Sequence, residues 1–128
     1  MKISDISVGD IVLVGMHCGY NGFDFVPQKI TLGDFNFWYT NGWSDTDFDE
    51  FVKPMSLTTD FLEKNGFSKT LSNDGKHYIY EIFSDGIEFG MRYANGVFQW
   101  LGPLDIIYVH ELQKALKLIG MENVELNF

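Results

Sequence analysis

The stretch that decides the fold class is residues 74–101, DGKHYIYEIFSDGIEFGMRYANGVFQWL. It contains three short segments rich in β-branched and aromatic residues, which are 77–83, 87–93 and 97–101. Asp85-Gly86 and Asn95-Gly96 separate these segments, and such dipeptides tolerate the positive φ angles that tight hairpin turns need. Residues of this composition favour strands. The stretch therefore predicts a three-stranded antiparallel meander.

Downstream of the meander, the sequence predicts a longer helix from about Asp105 to Gly120. Its evidence is a set of apolar residues at the spacing of one helical face: Val109, Leu112, Leu116 and Ile119. A short final strand, residues 123–128, is predicted to return to the sheet.

Upstream of the meander, a short helix is predicted over residues 59–64. Thr58 is a good N-cap, and Gly66 can adopt the left-handed conformation that ends a helix. Pro54 indicates an extended linker just before this helix.

The first half of the chain also favours β structure. Apolar and aromatic runs predict strands at 11–14, 23–31 and 35–40, with Asn21-Gly22 and Asn41-Gly42 as further turns. Short strands with Gly-rich connections suggest a small curled sheet or an SH3-like barrel. The expected class is α+β.

The length of 128 residues favours a single compact domain. Two small lobes are the alternative, a β lobe over residues 1–53 and an α+β lobe over residues 54–128.

Charge and composition limit the partners. Eighteen acids against nine bases give a net charge of −9, which opposes binding to phosphate or to anionic membrane surfaces. Direct nucleic-acid binding and membrane binding are therefore not expected. The chain shows no charged leader before an apolar run and has a single cysteine, Cys18, so we expect a cytoplasmic protein.

The best candidate for a functional region is an acidic-aromatic segment, residues 34–51, which has no base. Its candidate partner-binding residues are Asp34, Trp38, Tyr39, Trp43, Asp45, Asp47, Asp49 and Glu50. Alternating acids on a strand or loop occupy one face and can pair with the Arg and Lys of a basic groove, while the rings supply buried anchors. The alternative is a half-buried strand with aromatic residues toward the core and acids toward water.

Signatures of catalysis, metal binding and cofactor binding are not found in the sequence. The three histidines are far apart, and no phosphate-cradling glycine loop or nucleophile elbow is present. We predict no catalytic residue, no metal site and no cofactor. A structural role at the helix start or facing the sheet is preferred for His110, and a buried or idle thiol for Cys18.

Parts of the chain resemble a family of small proteins from Bacteroidota genomes, prophages and phages. Residues 53–67, KPMSLTTDFLEKNGF, are similar to the family block PIPLTEEWLLKFGF, and residues 108–116, YVHELQKAL, to the family helix YVHQLQNLYFALTGEEL. The opening 6–12, ISVGDIV, is similar to LRIGNLV. The chain departs from the family pattern at 17–52 and at 114–117.

The resemblance implies a phage or prophage setting in a bacterial host. Small acidic phage proteins without catalytic signatures are often antagonists of host enzymes, including CRISPR nucleases. The leading hypothesis is a non-enzymatic accessory protein that inhibits a CRISPR-type nuclease effector, a nucleic-acid enzyme or its RNA-bound complex. A scaffolding or phage DNA-metabolism module that forms a homo-oligomer, and a cryptic hydrolase, stay open as alternatives.

Overall fold

A computed structural model describes residues 1–17 and 23–128 of the chain. Cys18 and the predicted turn at Asn21-Gly22 lie outside the described residues. The described part contains four α-helices and two antiparallel sheets, one of three strands and one of five. The α+β class is therefore confirmed. The chain divides into two compact units, residues 1–55 (unit 1) and 56–128 (unit 2).

Unit 1 combines an open three-stranded sheet with two α-helices and a 3-10 turn at Ile3–Asp5. Its elements are β1 (Ile11–His17), β2 (Phe23–Lys29), α1 (Leu32–Thr40), α2 (Asp45–Phe51) and β3 (Val52–Pro54). The strand order is β2-β1-β3, so β1 is the central strand. Val14 lies opposite Val26 on one side and Val52 on the other.

The helices of unit 1 correct the sequence prediction. The strand predicted at 35–40 is wrong, because these residues lie in α1, and the acids predicted on a strand or loop lie in α2. Asn41-Gly42 ends α1 and does not form a hairpin, with a positive φ at Gly42. Two helices thus occupy positions expected for strands, and the described residues of unit 1 form no SH3-like barrel.

Capping explains why aromatic residues with strand preference form helices here. Thr31 and Asp34 exchange hydrogen bonds at the start of α1, and Ser44 and Asp47 do the same at the start of α2. Each pair satisfies backbone N–H groups that a helix start leaves without a partner. The ring of Trp38 on α1 then packs edge-on against Phe48 on α2, at 5.0 Å between centroids. Both rings belong to the core of unit 1 with Ile3, Ile6, Val12, Ile30 and Val52.

Unit 2 is built on the predicted meander. Its elements are α3 (Thr59–Lys64), β4 (Ser68–Leu71), β5 (Tyr78–Ser84), β6 (Ile87–Ala94), β7 (Val97–Trp100), β8 (Leu104–Ile106) and α4 (Val109–Leu118). The sheet runs β4-β5-β6-β7-β8, so the three predicted strands are confirmed and one strand is added at each edge. Asp85 and Asn95 have φ angles of 51° and 53°, as two-residue hairpin turns require.

The ends of unit 2 differ in part from the prediction. The short helix is confirmed, and the Thr58 hydroxyl accepts a hydrogen bond from the Phe61 amide at 3.2 Å. The longer helix begins at Val109, because Asp105 lies in β8. The predicted final strand is wrong: residues 123–128 contain no strand. The Asn65 side chain donates to the Asn127 carbonyl at 2.9 Å and accepts from its amide at 2.7 Å, which replaces sheet pairing there.

Within the described ranges, no helix is long and apolar enough to cross a membrane.

Candidate interaction surface

Helix α2 presents its carboxylates to solvent. Asp45, Asp47, Asp49 and Glu50 are all exposed, whereas Phe48 is fully buried in the core of unit 1. On a helix, these residues point in several directions around the exposed circumference, and they do not share the single face that a strand would create. The result is a dense patch of negative charge on one short helix.

Three of these acids also hold unit 1 together. Asp45 Oδ1 accepts a hydrogen bond from the Ile3 amide at 3.2 Å, and Asp47 Oδ2 accepts from the Ser44 amide at 2.9 Å. Asp49 Oδ1 accepts from the Met1 ammonium at 2.8 Å. The patch is therefore structural as well as charged, which a sequence pattern cannot show.

The Asp49 carboxyl is the most strongly paired acid of the patch. Its hydrogen bond from the Met1 ammonium, with the nearby positive charge of Lys53, lowers the pKa of Asp49 below its ordinary value. Lys53 Nζ lies 3.9 Å from Asp49 Oδ2 and also donates a hydrogen bond to the Asp49 carbonyl. Asp49 therefore stays ionised in mild acid.

The aromatic residues of the segment divide into buried and exposed rings. Trp38, a predicted partner-binding residue, is only 5% exposed and packs in the core. Tyr39 is 67% exposed and Phe37 is 56% exposed, while Trp43 is half-buried. Tyr39 and Phe37 thus present their rings to solvent, whereas Trp38 does not.

The rings around Trp43 enclose a pocket within unit 1. Trp43 stacks on Trp38 at 6.1 Å and 27°, and it lies 5.4 Å from Phe51 and 5.8 Å from Phe37. The pocket has a volume of about 330 Å³, and Asp34 forms part of its wall. Aromatic walls with one carboxylate are typical of a site for an organic cation.

Several walls of this pocket were not among the predicted site residues. Phe37 and Phe51 come from the helices, and Gly15 and Gln28 come from β1 and β2. The Thr31–Asp34 capping pattern could have shown that positions 34, 37 and 38 share a helical face. The contributions of the strands depend on tertiary packing and leave no local signal.

Unit 2 carries a second group of polar side chains, on the sheet. Glu81 on β5 and Glu88 on β6 line an open cavity of about 490 Å³ with His77, Arg92 and Gln99. A hydrogen bond between the two carboxyls, together with partial burial and the charge of Glu88, raises the pKa of Glu81. His110 is buried elsewhere in unit 2, and its ring stacks on Tyr108 at 5.8 Å.

In the part of the chain that the structure describes, no three His, Cys, Asp or Glu side chains converge to hold a metal ion. No family model matches the chain, and neither the curated proteins nor the solved structures compared with it include a match.

Proposed function

We propose that the chain is a non-catalytic binding protein whose acidic-aromatic segment docks on a basic surface of a partner protein. The observation that carries the proposal is the exposure of four carboxylates within the six residues 45–50. Unit 1 as a whole has eight acidic and three basic side chains, so its field attracts a basic groove and repels phosphate.

The geometry of the segment supports binding by a preorganised surface. Hydrogen bonds to Asp45, Asp47 and Asp49 hold α2 in place, so little conformational freedom is lost when a partner binds. Tyr39 and Phe37 add exposed rings of the kind that anchor protein interfaces.

The partner that we propose is a nucleic-acid enzyme of a bacterial host. Such enzymes hold nucleic acid in grooves rich in Lys and Arg, which carboxylates can occupy in place of phosphates. The family resemblance favours a CRISPR-type nuclease effector, alone or bound to its RNA. The protein would then act as an inhibitor that blocks the groove.

The test variants must avoid the acids that stabilise unit 1. Charge reversal at Asp45, Asp47 or Asp49 removes a structural hydrogen bond, so lost binding could reflect a disturbed fold. Glu50→Lys reverses an exposed charge on α2 instead. Glu122→Lys makes the same change at an exposed position of unit 2 and is the matched control.

The experiment begins with capture of partners by the C-terminally tagged protein from a lysate of bacteria that carry nuclease defences. The recovered nuclease is then purified, and its Kd and residual cleavage activity are measured with the wild type and both variants. We expect Glu50→Lys to weaken binding about fivefold or more, with a steeper loss at high salt, and Glu122→Lys to change it less than about twofold. Equal effects of the two variants would overturn the proposed surface. Recovery of only the chain itself would favour self-assembly instead.

A further inference from the structure

The pocket beside Trp43 has the chemistry of a site for one arginine side chain. We propose that it binds the guanidinium group of an arginine from the basic partner. The identity of that partner rests on the proposed function, but the affinity of the pocket for a guanidinium group can be measured without it.

The aromatic walls suit a planar cation. Trp43 stacks on Trp38 at 27°, Phe51 is tilted by 38° to Trp43, and all three rings form part of the pocket wall. A guanidinium group is flat and weakly hydrated, and it stacks on aromatic faces, with the indole of tryptophan as the strongest partner. An ammonium group is compact and more strongly hydrated, so it loses more on entering an aromatic pocket.

Asp34 supplies the compensating negative charge. Its capping hydrogen bonds come from the Thr31 amide at 2.8 Å and the Thr31 hydroxyl at 3.0 Å, and both end on Oδ2. The cap therefore does not use Oδ1. Because Asp34 lines the pocket, its carboxylate can pair with a cation held against the aromatic walls, and a charge-assisted pair of this kind is stronger than a neutral hydrogen bond.

Gly15 on β1 forms part of the pocket wall, and its backbone is closely packed. A Cβ atom at this position would lie 3.4 Å from a ring carbon of Phe25 and 3.4 Å from the Phe51 carbonyl oxygen. The volume of about 330 Å³ lies at the lower end of ligand pockets, roughly 300–1,000 Å³, which suits one side chain better than a large ligand.

The experiment is an NMR titration of the full chain with ¹⁵N-labelled tryptophan. The probes are acetylated and amidated tripeptides with arginine, lysine or citrulline between two glycines, since citrulline keeps the shape of arginine without its charge. Trp43 reports on the pocket, and Trp100 of unit 2 is an internal control. We expect the arginine peptide to shift the Trp43 indole signal with a Kd of about millimolar, and the citrulline peptide to bind at least about tenfold more weakly. An unmoved Trp43 signal, or equal binding of the lysine or citrulline peptide, would overturn the assignment.

Two pairs of variants separate the pocket from the fold. Asp34→Asn should weaken binding of the arginine peptide about fivefold or more. Glu111→Gln, a change at another capping-box acid, should leave this binding unchanged. Phe37→Ala should weaken it similarly, while Phe83→Ala, at a ring that is 65% exposed in unit 2, should not. Equal effects within either pair would contradict the proposal.

The two proposals can fail separately. If the arginine peptide binds but Glu50→Lys leaves binding of the partner unchanged, the pocket stands and the proposed docking of α2 fails. If Glu50→Lys weakens binding of the partner but the Trp43 signal does not respond to the arginine peptide, the docking surface stands and the pocket assignment fails.

Discussion

Helix α2 and the β5–β6 hairpin both carry closely spaced carboxylates, and the two regions accommodate them in opposite ways. In α2, Asp47 accepts hydrogen bonds from Ser44, and Asp49 accepts one from an ammonium group that lowers its pKa. In the hairpin, Glu81 shares a hydrogen bond with Glu88, and its pKa is raised. The first N–H groups of a helix have no partner within the helix and can donate hydrogen bonds to a carboxylate. The N–H groups of inner strands instead donate to the carbonyls of neighbouring strands. Asp47 at the start of α2 is therefore bound to N–H and O–H donors, whereas the pKa of Glu81 is raised by the neighbouring carboxyl of Glu88.

The largest expected effect comes from removing the cap of α2. The double variant Ser44→Ala/Asp47→Ala loses both reciprocal hydrogen bonds, and we expect it to lower the free energy of unfolding by about 2 kcal/mol. Urea denaturation followed by circular dichroism measures the loss. Thr46→Ala, an exposed change on the same helix, is the control. A loss no greater than that of Thr46→Ala would show that the hydrogen bonds between Ser44 and Asp47 do not stabilise unit 1.

In the β5–β6 hairpin, replacing a carboxylate is expected to raise the free energy of unfolding, by a smaller amount. Because the pKa of Glu81 is raised, the stability that its protonated form contributes is complete below the ordinary value of 4.5 and is lost as the pH rises through the raised pKa. Glu81→Gln should therefore be more stable than the wild type at pH 7, by a few tenths of a kcal/mol, and this gain should shrink toward pH 4.

Thermal unfolding across that pH range measures the difference for Glu81→Gln. Glu88→Gln should behave alike because it removes the other half of the pair, and Glu122→Gln should show no such trend. A constant difference at all pH values would show that Glu88 does not raise the pKa of Glu81.

The smallest effect is expected at Asp49, whose side chain is 53% exposed. Its pKa is lowered, so the stability from its ion pair is present above the ordinary value of 3.8 and is lost as the pH falls through the lowered pKa. Asp49→Asn should be slightly less stable than the wild type at pH 7 and equally stable in strong acid, as measured by the denaturation midpoint. A difference that persists in strong acid would assign the effect to a cause other than charge.

The meander was predictable because its signals are local. Positive φ angles at Asp85 and Asn95 follow from the turn dipeptides themselves, and the segments between them have strand composition. The edge strands were not predictable in the same way. All four residues of β4 are exposed, and this strand forms by pairing Ser68–Leu71 with Tyr78–Glu81 of β5, a partner that its own sequence does not specify.

The sequence locates the candidate site at residues 34–51, but the secondary structure predicted for these residues is wrong. The aromatic run favoured a strand, although Thr31–Asp34 and Ser44–Asp47 carry the spacing of helix caps, and the caps prevail because they satisfy several N–H groups at once. The same misassignment placed Trp38 among the binding residues, whereas helical geometry turns its ring into the core.

By itself, the sequence determined the acidic charge, the hairpins of the meander and the cap of α3, because each depends on composition or on residues within four positions of one another. Tertiary structure alone decided that Asp45 and Asp49 of α2 are hydrogen-bonded to the first three residues of the chain, and which rings line the pocket. Met1 and Asp49 lie 48 positions apart, and Gly15, Gln28 and Trp43 come from two strands and a loop. Contacts of this kind form only when packing brings distant segments together, so no local pattern encodes them.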